Sequence, residues 1–105
     1  MAKGDNPVLE TLFDINAVSL ERTELDPQSL ILVRLAALIA VGAPVSSYLL
    51  HIGAGADAGV TLQQAQDVLV SVAPIVGTAR TAAASVKMAE ALNLAIDMAE
   101  SDRGA

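Results

Sequence analysis

The chain has 105 residues, 53% hydrophobic but only 2% aromatic, and its six basic and twelve acidic side chains give a net charge of −6. That length suits a single domain, residues 1–105. An acidic balance with no basic cluster excludes nucleic-acid binding through phosphate neutralisation, and the absence of cysteine excludes disulfides, thiolate metal sites and thiol redox chemistry.

A core built from Ala, Val, Leu and Ile suits closely approaching helices better than strands, which favour aromatic and β-branched residues. The reading is therefore all-α, with about five helices. Met1 to Asn6 form a polar, frayed start. Asn6-Pro7 then marks a helix start, with Asn as N-cap and Pro in the first turn. Val8, Leu9, Leu12, Phe13, Ile15 and Val18 recur at helical spacing and predict an N-terminal helix over about 7–22. Asp26-Pro27 is a second start, opening a core that spans about 25–100. From Gln28 to about Val41 nearly every residue is apolar, with Arg34 the sole charge. A helix apolar all round is buried all round. One subunit of this size can hardly cover it, so other copies of the chain are the expected cover.

Gly42-Ala43-Pro44 breaks that helix, and another runs from Val45 to about Ala58. Within it Tyr48, His51 and Gly55 share one face, as do Ser47, His51 and Ala54. Gly53 and Gly55 each weaken a helix by about 1 kcal/mol relative to Ala, and the expected return is close helix–helix approach. Gly59 closes the helix, and Thr61 with Gln64 forms a capping box for the next. That fourth helix is expected over Leu62 to about Val72, with Leu62, Ala65, Val68, Leu69 and Val72 inward, closed by Pro74 and Gly77. A last helix spans Thr78 to about Glu100, with Val86, Met88, Ala89, Leu92, Ala95 and Ala99 in apolar rows, followed by a short tail.

The tract from Leu35 to Ala56 is uncharged when His51 is neutral and is long enough to span a bilayer, which takes about 20 apolar residues. Gly42, Pro44, Ser46, Ser47 and His51 interrupt it, so two buried helices joined by a turn are expected instead of a membrane span. The start of the chain lacks the apolar run of a signal peptide, which makes the cytoplasm the expected location.

Leu25-Asp26-Pro27, a buried helix, a break, a helix with one histidine, Ala58-Gly59-Val60-Thr61 and a helix ending near Gly77 form an ordered set. From Leu25 to about Ala91 this order resembles the carboxymuconolactone decarboxylase family, which includes the alkylhydroperoxidase D-like proteins. The resemblance implies an all-helical subunit assembling into homotrimers or homohexamers, with a site between helices near subunit interfaces. In the peroxidase branch a Cys-x-x-Cys pair precedes a histidine by four residues, and an upstream glutamate assists proton transfer. His51 fills the histidine position here. Ser47 stands at the second cysteine, Pro44 at the first, and the acid falls at about Ile31 or Leu32. Peroxide reduction needs a thiolate and a resolving thiol, so thiol peroxidase chemistry is excluded. The resemblance leaves the thiol-free decarboxylase branch, whose histidine handles protons around a lactone and its carboxylate.

His51 is thus the candidate acid/base, since imidazole titrates near neutrality. Tyr48 and Ser47, one turn earlier, are candidate helpers. The plainer reading is a packed histidine satisfied by a backbone carbonyl or a Ser hydroxyl. No Gly-x-Ser-x-Gly elbow accompanies Ser46 or Ser47, a single His offers no metal-ligand spacing, and Gly53-x-Gly55 lies in a helical pattern instead of after a strand. No cofactor and no metal are expected. Arg34 is read as an interface ion pair, with Asp57 or Asp67 as partner, and Arg34 or Arg80 could hold an anion. Two functions stay open. One is a cofactor-free lyase or isomerase acting on a small carboxylated or lactone-like molecule. The other is a catalytically degenerate relative that binds a small molecule or serves as an assembly scaffold.

Overall fold

Helix starts in this chain are written in its side chains. Asn6 Oδ1 accepts from the Leu9 amide at 3.1 Å, and Asp26 Oδ1 accepts from the Ser29 amide at 2.8 Å, each with Pro next in line. Hydrogen bonds from the Ser29 backbone and then its hydroxyl hold the Asp26 carboxyl below its ordinary range. Thr61 and Gln64 form the expected reciprocal capping box, at 3.0 and 2.9 Å.

The computed structural model describes residues 6–104, and the expected fraying of Met1 to Asp5 lies outside them. Five helices follow: α1 (Pro7–Arg22), α2 (Pro27–Val41), α3 (Val45–Asp57), α4 (Leu62–Val76) and α5 (Thr78–Gly104). No strand occurs among the described residues, so the protein is all-α as composition required. Gly42 and Gly59 take φ of +71° and +82° where α2 and α3 end, a backbone shape that glycine adopts without strain.

Helix α2 lies against α3, α4 and α5, and α3 packs along α5. The core is Ile31, Leu35 and Ile39 of α2, Ala43, Tyr48 of α3, and Ala84 and Ala91 of α5. The two alanines were missing from the expected apolar rows of α5, whereas Val86 is exposed. Small side chains at Ala84 and Ala91 let α5 come close to its neighbours, which a larger residue would prevent.

Other departures have physical reasons. Helix α4 runs through Pro74 to Val76 instead of stopping near Val72. A proline there removes one backbone donor, yet Val70, four residues earlier, is exposed, so water can satisfy its carbonyl. Helix α5 continues past Glu100 because no helix breaker precedes Gly104. Leu62, expected inward, is 59% exposed. A Cβ built on Gly55 would sit 3.3 Å from Ile31 Cγ2, the expected close approach, whereas Gly53 has nothing within 4 Å. Helix α2 buries only one stripe within the chain, leaving Val33 and Val41 exposed.

Helix α1 buries none of its residues. It is tied to the body by Arg34, which donates to Asn16 Oδ1 and, at 2.9 Å, to Ser19 Oγ. Within the chain Arg34 thus bonds Asn16 and Ser19, and neither Asp57 nor Asp67.

Candidate functional site

His51 sits in the second turn of α3, half-buried, and lines a space that residues of α2, α4 and α5 also line. Its Nδ1 lies 2.8 Å from the Ser47 carbonyl oxygen, four residues back along the helix. A carbonyl can only accept, so this bond assigns the ring proton to Nδ1 and leaves Nε2 with a free lone pair. Nε2 has no hydrogen-bond partner among the described residues.

His51 lines a partly open cavity of about 380 Å³ between α2, α3, α4 and α5. That volume falls within the usual range for small-molecule sites, roughly 300–1,000 Å³. Ile31, Leu35, Ile52, Val60, Leu69, Met88 and Leu92 give it apolar walls. Its polar groups are His51, Tyr48, Thr61, Gln66 and Ser85, and no Asp, Glu, Lys or Arg lines it. Ile31, one of the two places where the resemblance would put an acid, forms part of the wall with an apolar side chain.

The three candidates named from sequence meet here in different ways. Ser47 reaches His51 through its backbone carbonyl, a contact that does not use the hydroxyl. Tyr48 is fully buried and lines the cavity, and its hydroxyl has no hydrogen-bond partner. Burial pushes the Tyr48 phenol above its ordinary pKa, because the charged form would lose its hydration. Ser85 and Gln66 were not anticipated. Ser85 stands three and seven residues before Met88 and Leu92, so the α5 apolar rows already carried the spacing that places it on the same face.

Neither Arg34 nor Arg80 lines this cavity. Arg80, with Lys87, lines a second and more open cavity of about 730 Å³ where α2 ends and α5 begins. Tyr48 borders both spaces. Among the described residues no group of three or more His, Asp or Glu converges where a metal ion could be held. Among the described residues no helix is long and apolar enough to cross a membrane.

Fold and cavity together define a thiol-free all-helical domain with one histidine at the edge of an apolar chamber. The chain belongs to the carboxymuconolactone decarboxylase family, whose model matches residues 6–100. No curated protein and no solved structure matches it.

Proposed function

We propose that this protein is a proton-transfer catalyst of the lyase or isomerase type, with His51 as its acid/base and no thiol in its chemistry. The observation that carries the reading is the bond from His51 Nδ1 to the Ser47 carbonyl at the edge of the cavity. A packed histidine would be satisfied by the same bond. One that also lines a space of molecular size, with Nε2 left unbonded among the described residues, suits the role of a proton acceptor.

A small lactone-like molecule suits the chamber. Its carbon skeleton would meet apolar walls, and Ser85 and Gln66 offer donors to a carbonyl oxygen. Nε2 would accept a proton from a carbon acidified by that carbonyl and return it to the same or a conjugated carbon, so no redox partner is required. With no cation in the chamber, the lactone is favoured over the carboxylate as the group placed next to His51.

The active form in this reading is a homo-oligomer, a trimer or hexamer as the family resemblance implies. Val8, Leu12, Phe13 and Ile15 of α1 are all more than half exposed, as are Val33 and Val41 of α2. Apolar surface of this extent on a small domain calls for a partner, and copies of the same chain supply one.

The second reading, a degenerate relative that binds without catalysing, draws on Ile31 or Leu32, Pro44 and Ser47 standing where the peroxidase branch carries its acid and thiols. Deuterium incorporation separates the two. Untagged protein in D₂O with small unsaturated γ-lactones should speed exchange at the carbon next to the carbonyl. His51→Gln should slow it by about 10²–10⁴-fold, the usual contribution of a positioned acid/base. Binding of the lactones without exchange above buffer would establish the second reading instead.

A further inference from the structure

Among the described residues, α1 is the only helix with no Cα within 8 Å of another helix. Asn16, which Arg34 holds, stands at the centre of its apolar face. Leu9, Leu12 and Phe13 lie seven, four and three residues before it and Leu20 four after, and all four are exposed. Glu10, Asp14 and Glu21 fall on the far side of the helix. On α2, Leu30, Ala37 and Val41 share the face of Arg34 by the same kind of spacing and are half-buried or exposed. The bonds from Arg34 to Asn16 and, at 2.9 Å, to Ser19 therefore turn two apolar faces towards each other. With no close Cα approach, these faces do not interdigitate as packed helices about 8–10 Å apart do. Between them lies an apolar cleft bridged by one side chain.

Surface area points to what covers it. The chain exposes 7161 Å², against about 5,500 Å² for a compact monomer of its 10.7 kDa mass. The surplus of about 1,600 Å² per chain would give a pair of chains about 3,000 Å² of contact, the scale of permanent homodimers. A second copy also matches the cleft in kind. Each copy has an α2 face short of apolar cover and an α1 helix short of a seat, so one reciprocal contact meets both needs. Neither face carries an acid, so a chain of net charge −6 meets itself there without bringing carboxylates together.

We propose that two copies meet through this cleft about a two-fold axis, with α1 and α2 of each forming a four-helix core. A two-fold contact requires an even number of chains, so it selects the hexamer over the trimer among the assemblies the family resemblance implies. The inference rests on the homo-oligomer of the reading above and not on the His51 chemistry.

The absence of cysteine makes the contact testable with single-cysteine variants of the full chain. Native mass spectrometry of the untagged wild type should give an even multiple of 10.7 kDa. A short bis-maleimide should join Leu12→Cys or Phe13→Cys into covalent dimers and leave Glu10→Cys, on the far side of α1, as single chains. Loss of assembly in Leu12→Cys and Phe13→Cys, with Glu10→Cys still assembled, would support the same face. A wild-type mass of three chains would overturn the two-fold contact and leave the homo-oligomer standing, whereas a single-chain mass would overturn both. An even mass with Leu12→Cys and Phe13→Cys assembled but unjoined would place the two-fold axis elsewhere and overturn the assignment of this face.

Discussion

The Nδ1 of His51 and the carbonyl oxygen of Ser47, 2.8 Å apart on one helix face, make Ser47 a partner of the histidine through its backbone and not through its hydroxyl. Substitutions at the two positions should therefore behave differently. Ser47→Ala keeps the carbonyl and should leave lactone exchange within about twofold of wild type. His51→Gln should remove most of the exchange, a general-base loss of about 10²–10⁴-fold, while circular dichroism and assembly stay unchanged. Equal losses in both variants would point to the hydroxyl after all.

Tyr48 supplies a pH signature. Its phenol is raised above the ordinary value near 10 by burial, so the fold favours the neutral form. Stability from this group is complete below the unfolded pKa and drains away as pH rises towards the folded one. Wild type should lose stability above about pH 10 more steeply than Tyr48→Phe. Near neutral pH Tyr48→Phe should be as stable as wild type or more so, because it deletes an unpaired buried hydroxyl. Denaturant titrations at several pH values read both effects, and the sole tyrosine lets its ionisation be followed directly by absorbance.

The two glycines of α3 should respond in opposite directions. Gly53→Ala meets open space and restores helix propensity, so it should raise stability by about 0.5–1 kcal/mol. Gly55→Val pushes branched methyls towards Ile31 and should cost about 1–3 kcal/mol. Urea unfolding of each variant checks both signs.

Much of this architecture was legible in the sequence because local signals were strong. Asn6-Pro7, Asp26-Pro27 and Thr61-x-x-Gln64 each combine a cap with a helix start, and the structure places a helix at every one. Pro74 misled because a proline's cost depends on whether water reaches the freed carbonyl, which spacing does not report. Gly53 and Gly55 look alike in sequence, and only the crossing of α2 over α3 separates them. Of the candidate site, the shared helix face of Tyr48 and His51 was legible from spacing, and both residues line one cavity. The cavity depends on four helices meeting, and the place of Arg80 outside its lining is a tertiary fact that no local pattern carries.

Helix α1 gives a direct test of assembly. Leu9→Glu with Phe13→Glu places two charges on its apolar face without disturbing any buried residue of the subunit. Light scattering should show wild type as a multiple of 10.7 kDa and the variant shifted towards that single-chain mass, with helix content largely kept. A wild-type monomer at micromolar concentration would contradict the proposed homo-oligomer.

The nitrogen spectrum of the single histidine bears most directly on whether His51 works or merely packs. In untagged protein its two ring nitrogens need no assignment against other histidines. The expected spectrum at a pH where the ring is neutral shows the proton on Nδ1 and a lone pair on Nε2, with the Nε2 signal moving as a small γ-lactone saturates the chamber. A proton on Nε2, or an Nε2 signal that stays fixed while the lactone binds, would contradict the assignment of His51 as the acid/base.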